Sequence, residues 1–186
     1  MRCTIEASKL DKRGQQIIKL LAPIAPENHR LLCRKRLVNR QAVLSAFIGS
    51  QPIEAEPDLW RFTTRVPRIR ASYHERWLQT DFRQADFYLE RAYLHLYLRR
   101  DLNNEEEILA LHCDPNEARS ERHFLYKVGP HLHMSTASDP LQHSHLALNN
   151  SNLTEVLSSV QNLTAALKTA IAMVDDQVLN FFLRAS

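Results

Sequence analysis

Residues 126–149 read YKVGPHLHMSTASDPLQHSHLALN. Two His-x-His pairs, His131/His133 and His143/His145, stand either side of nine turn-rich residues. In a strand, alternate residues point to the same face. Each pair therefore sets two imidazoles on one side. Leu132 and Met134, or Leu146 and Leu148, take the other side. A hairpin closed through Ser135–Gln142 brings His133 towards His143 and His131 towards His145. The expectation is four imidazoles on one patch with an apolar back.

The same alternation continues upstream. Within 92–100, Leu94, Leu96 and Leu98 face one way, while Tyr93, His95 and Tyr97 face the other. Within 106–113, Leu109 and Leu111 oppose Ala110 and His112. Residues 123–128 are read as a further strand entering Gly129-Pro130. These strands share a leucine face that a helix can cover. Their opposite face gathers Tyr93, His95, Tyr97, His112 and the hairpin histidines. Six of the nine histidines lie between 112 and 145, which concentrates titratable and metal-ligating groups in this sheet.

After residue 153 the period changes. Leu153, Val156, Leu157, Val160, Leu163, Leu167, Ile171, Val174 and Val178 recur at three-to-four spacing, predicting one long amphipathic helix to residue 183. Near the start, Leu10, Ile17, Ile18 and Leu21 predict a helix over Ser8–Leu21, with Ser8 as N-cap. Residues 29–48 read as a strand followed by a short helix or a second strand, with the helix preferred, and 50–57 as a linker or loop. Trp60, Phe62, Thr64 and Val66 alternate with Arg61, Thr63 and Arg65, a half-buried strand, and Pro67 marks it as an edge. Residues 80–91 read as a short helix or the start of a strand. The expected fold class is α+β: an antiparallel β-meander sheet with an N-terminal helix and a long C-terminal amphipathic helix covering one face. One domain over residues 1–186 is expected. Its parts are a basic N-terminal half to about residue 57, a His-rich sheet over about 58–149 and the helix over about 153–183.

Composition excludes several classes. The only glycines are Gly14, Gly49 and Gly129, too few and too scattered for a Walker loop or a GxGxxG turn. No apolar run approaches the ~20 residues of a membrane span. The opening MRCTIEASKLDKRGQQ lacks the apolar core of a signal peptide. Three cysteines without a CxxC spacing suit a reducing compartment, so a cytoplasmic protein is expected.

Charge is uneven along the chain. Residues 1–100 hold 19 Lys/Arg against 10 Asp/Glu, and residues 101–186 hold 5 against 11. Arginine outnumbers lysine 18 to 6, a bias that suits bidentate contact with phosphate or carboxylate. Arg61, Arg65, Arg68 and Arg70, interleaved with Trp60, Phe62, Tyr73 and Trp77, are the candidate nucleic-acid contacts. The competing reading puts the aromatics in the core and the arginines in water, because alternation sends them to opposite sides.

Three chemistries suit His131, His133, His143 and His145. They can ligate a divalent transition metal such as zinc, with Asp114, Asp139 or one of Glu105–Glu107 adding a carboxylate. They can act without metal as a general acid–base pair. They can also form a docking face. The glycines that flank His-x-His in cupins are missing, and Asp139 follows His133 too soon for a zinc deubiquitinase pattern. The functional expectation is a metal-dependent or acid–base phosphodiester hydrolase acting on nucleic acid. The alternative is a non-catalytic interaction subunit of a larger protein or nucleoprotein assembly. Nucleic acid or an acidic protein is the expected partner, and the C-terminal helix is a possible oligomer contact.

Overall fold

The structure is a computed structural model that describes residues 3–50, 60–79, 85–101, 104–115, 127–134, 144–148 and 152–184. The expected strand over 123–128 lies mostly outside these residues, as does His143. At 134, 144 and 145 only the backbone is described.

The chain opens with β1 (Thr4–Glu6), a 3-10 turn and α1 (Leu10–Leu21). Strands β2 (Leu31–Val38), β3 (Gln41–Ile48), β4 (Phe62–Thr63), β5 (Ile69–Gln79), β6 (Asp86–Arg99), β7 (Glu105–Cys113), β8 (His131–Met134) and β9 (Ser144–Ala147) follow. Helices α2 (Leu153–Val156), α3 (Val160–Val174) and α4 (Asn180–Arg184) close the described chain, with a π turn between the last two. The fold is α+β, an open antiparallel sheet in the order β2-β3-β5-β6-β7-β8-β9. β1 adds to β6 and β4 to β5.

Residues 29–48 depart from expectation. The segment NRQAVLSAFI is not a helix but the turn and second strand of a hairpin. Asn39 and Arg40 have φ of 47° and 64°, the backbone of a two-residue turn that matches strand twist. Ala42, Leu44 and Ala46 then alternate into the core. Ser8 is not an N-cap either. A 3-10 turn precedes α1, and the Ser8 hydroxyl donates to the Glu6 carboxylate. The C-terminal helix is interrupted where a single run was expected. Ser159 adopts extended backbone and its Oγ accepts from Asn162 N at 3.1 Å, capping a new helix.

The leucine pattern is realised. Leu94, Leu96, Leu98 and Leu111 are buried in one core with Ile17, Leu20 and Leu21 of α1 and Leu163, Leu167, Ile171 and Val174 of α3. Each such side chain contributes roughly 1.5–3 kcal/mol on leaving water. Cover fades towards the β9 edge. Leu109 and Leu132 are only half-buried, and Leu146, expected under the helix, is 49% exposed.

One charged pair lies inside this core. Arg13 of α1 and Glu75 of β5 form a two-pronged ion pair at 2.9 and 2.6 Å, both side chains fully buried. Tyr73 Oη and Trp77 Nε1 donate to the same carboxylate at 2.7 and 3.0 Å. Thr164 of α3 accepts from Arg13 at 2.5 Å. Burial opposes the Arg13 charge, but Glu75 outweighs it and raises the guanidinium above its ordinary value. The network fixes both helices against the sheet and leaves the opposite face to the histidines.

Candidate metal centre

The register of the central strands sets this opposite face. Tyr93 pairs with His112, and His112 with His131. One row along, His95 pairs with Ala110, and Ala110 with His133. Ala110 projects little, so rings from both sides can lean over it. Asp114 lies two residues past His112 and keeps to its face. Its backbone N–H donates to Lys127 O at 3.0 Å, which holds the carboxylate beside the start of β8.

The ligand atoms of His112, Asp114, His131 and His133 all lie within 4.8 Å of one another. His131 is fully buried, and His112 and Asp114 nearly so, while His133 is half-buried. His131 Nδ1 donates to Gly129 O at 2.8 Å, which directs its Nε2 into the group. That Nε2 is 3.1 Å from His133 Nε2 and 3.8 Å from Asp114 Oδ2. Gly129 is itself tightly enclosed: a Cβ there would clash with a Leu153 methyl.

The outer contacts are as ordered as the inner ones. Tyr93 Oη donates to Asp114 Oδ1 at 2.5 Å, and the Tyr93 ring stacks on His112 with centroids 3.8 Å apart. His112 Nε2 is 3.1 Å from His95 Nε2, and His95 Nδ1 is 2.6 Å from Glu107 Oε2. Burial, followed by the charges of His133, His95, His131 and His74, pushes His112 down to about 2. Its imidazole is therefore neutral near pH 7, the form that ligates metal. The hydrogen bond from His95 holds the Glu107 carboxyl below its ordinary value.

Of the four histidines expected in the site, the structure brings His131 and His133 together. His143 lies outside the described residues. The backbone of His145 pairs with that of His133, and the backbone of His131 with Ala147. This corrects the expected pairing of His131 with His145, because Met134 lies opposite Ser144. His112 and Asp114 complete the group. The sequence carried a signal for them: His112-x-Asp114 has the same one-residue spacing as the His-x-His pairs, at the end of a strand.

The four candidate nucleic-acid arginines lie elsewhere and have partners within the chain. Arg61 and Arg70 both bond the Glu105 carboxylate, Arg70 at 3.0 Å. Burial disfavours ionisation of Glu105, but hydrogen bonds from Arg61 and Arg70 outweigh it and lower its pKa. Arg65 bonds Asp175 at 2.8 Å and Asn180 at 2.6 Å. Arg68 lies over the Phe182 ring at 4.9 Å. Trp60, Phe62, Tyr73 and Trp77 are all core residues.

No described helix is long and apolar enough to cross a membrane. The chain matches no protein-family model, no curated protein and no solved structure.

Proposed function

We propose that this protein holds a divalent transition-metal ion, such as zinc, between His112, Asp114, His131 and His133. One observation carries the reading: four ligand atoms converge within 4.8 Å in a largely buried setting. Two nitrogens bound to one ion at about 2.1 Å lie roughly 3.0–3.4 Å apart. The 3.1 Å between His131 and His133 falls in that range, and the 3.8 Å between His131 Nε2 and Asp114 Oδ2 lies outside it, so an ion would draw the carboxylate inward. Three imidazoles and one carboxylate suit zinc, cobalt or nickel, whereas calcium and magnesium prefer all-oxygen sites.

Phosphodiester hydrolysis asks for more. It needs an open coordination position and a cation for the phosphate. Four protein ligands would fill a tetrahedral shell, and Arg61, Arg65 and Arg70 are engaged with carboxylates. Ion retention is therefore the better-supported role. The three free thiols suit a reducing compartment, so cytoplasmic residence belongs to the same proposal.

The test is the metal content of tag-free protein, measured by inductively coupled plasma mass spectrometry after dialysis against zinc. One ion per chain is expected. The double variant His131→Ala/His133→Ala should retain none while keeping its far-ultraviolet circular dichroism. Metal no higher than the buffer background in the unmodified protein overturns the reading.

A further inference from the structure

Metal binding would use one ring nitrogen of His112, and Nε2 has a neighbour of its own. His112 Nε2 lies 3.1 Å from His95 Nε2, and His95 Nδ1 lies 2.6 Å from Glu107 Oε2. An ionised carboxylate only accepts hydrogen bonds, so His95 carries a proton at Nδ1. In neutral His95, Nε2 then holds the lone pair and accepts. The proton between the two Nε2 atoms belongs to His112. A neutral His112 protonated at Nε2 has its lone pair at Nδ1 alone.

We propose that Glu107 and His95 are positioning residues that lock the tautomer of His112, so that Nδ1 is the atom offered to the ion. The inference rests on the metal-binding reading above. His131 is locked the opposite way: its Nδ1 donates to Gly129 O, so it offers Nε2. Each of these two ligands thus has its outer nitrogen held by a defined acceptor, as metal-bound histidines generally do.

The strand geometry supports the relay independently. Leu96 pairs with Leu109 but Tyr97 pairs with Glu107, so Ile108 is skipped in a bulge. Without that bulge Ile108 would oppose Tyr97, and Glu107 would oppose Leu98 on the leucine face. The extra residue turns the carboxylate onto the histidine face, within reach of His95.

The test uses full-length protein at about pH 8, above the ordinary imidazole range. Zinc affinity is measured by competition with a chromophoric chelator. Histidine tautomers are read by nitrogen-15 NMR in the metal-free and zinc-loaded protein. His112 should be protonated at Nε2 in both states and coordinated through Nδ1 when loaded. Glu107→Ala should weaken zinc binding about tenfold and mix the His112 tautomers, with an unchanged thermal midpoint. Glu107→Gln keeps an oxygen acceptor and should recover most of the affinity and the single tautomer. Unchanged affinity in Glu107→Ala, or coordination through His112 Nε2, overturns the relay. If the unmodified protein takes no zinc, the metal reading fails on its own. The metal-free tautomer still decides the relay, and a His112 proton at Nδ1 sinks it.

Discussion

Tyr93 donates its hydroxyl proton to Asp114 at 2.5 Å while its ring lies flat on His112. One side chain thus aims two of the four candidate ligands. Tyr93→Phe keeps the stacking and removes only the hydrogen bond. Zinc affinity should fall about tenfold, the lower end of what lost outer contacts cost. Competition titration checks this, and unchanged affinity would show that the Tyr93 hydrogen bond does not position Asp114.

His112 and Asp114 should matter as much as the hairpin histidines. His112→Ala and Asp114→Ala each remove a buried candidate ligand from the cluster. Both should lose zinc on gel filtration, whereas His29→Ala, changed far from the site, should retain it. Retention of a full equivalent by His112→Ala would place the ion elsewhere.

The Arg13–Glu75 pair makes a prediction about stability. Arg13→Met leaves Glu75 charged in a core where its partner is gone. The cost should be about 3–5 kcal/mol in urea unfolding. Adding Glu75→Gln removes the stranded charge and should restore a good part of that loss. If the double variant is no more stable than Arg13→Met, the buried charge is not the source of the cost.

Cys3 and Cys33 supply a test in alkali. Burial, and then the charge of Glu75, pushes both thiols up to about 12 from an ordinary 9.0. The native state therefore keeps protons that the unfolded chain loses as pH rises above 9. This contribution to stability is whole below pH 9 and drains away as pH climbs towards 12. The thermal midpoint should fall over that window, and less steeply in Cys3→Ala/Cys33→Ala. At pH 8 the buried Cys3 thiol should resist iodoacetamide, as read by peptide mass mapping, and react once guanidinium unfolds the chain. Rapid native alkylation would contradict the burial.

Much of the architecture follows from local rules. Alternating Leu94, Leu96 and Leu98 can only put their side chains on one face of a strand. The same period sets His131 beside His133, and three-to-four spacing after residue 153 demands helices. These are nearest-neighbour properties of the backbone, so they are written in the sequence. The His29–Ile48 segment shows the limit: one turn at Asn39-Arg40, with both φ positive, converted an expected helix into a hairpin strand.

Which strand lies beside which, and in what register, is not a local property. Pairing brings His112 opposite His131, and the skipped Ile108 turns Glu107 towards His95. Arg13 meets Glu75 across 62 residues of sequence. Local spacing supplied a histidine-bearing face. Hydrogen-bond register between distant strands chose His112 and Asp114 as companions of His131 and His133, because a ligand group requires atoms to meet in space, and only the packed sheet decides which atoms meet.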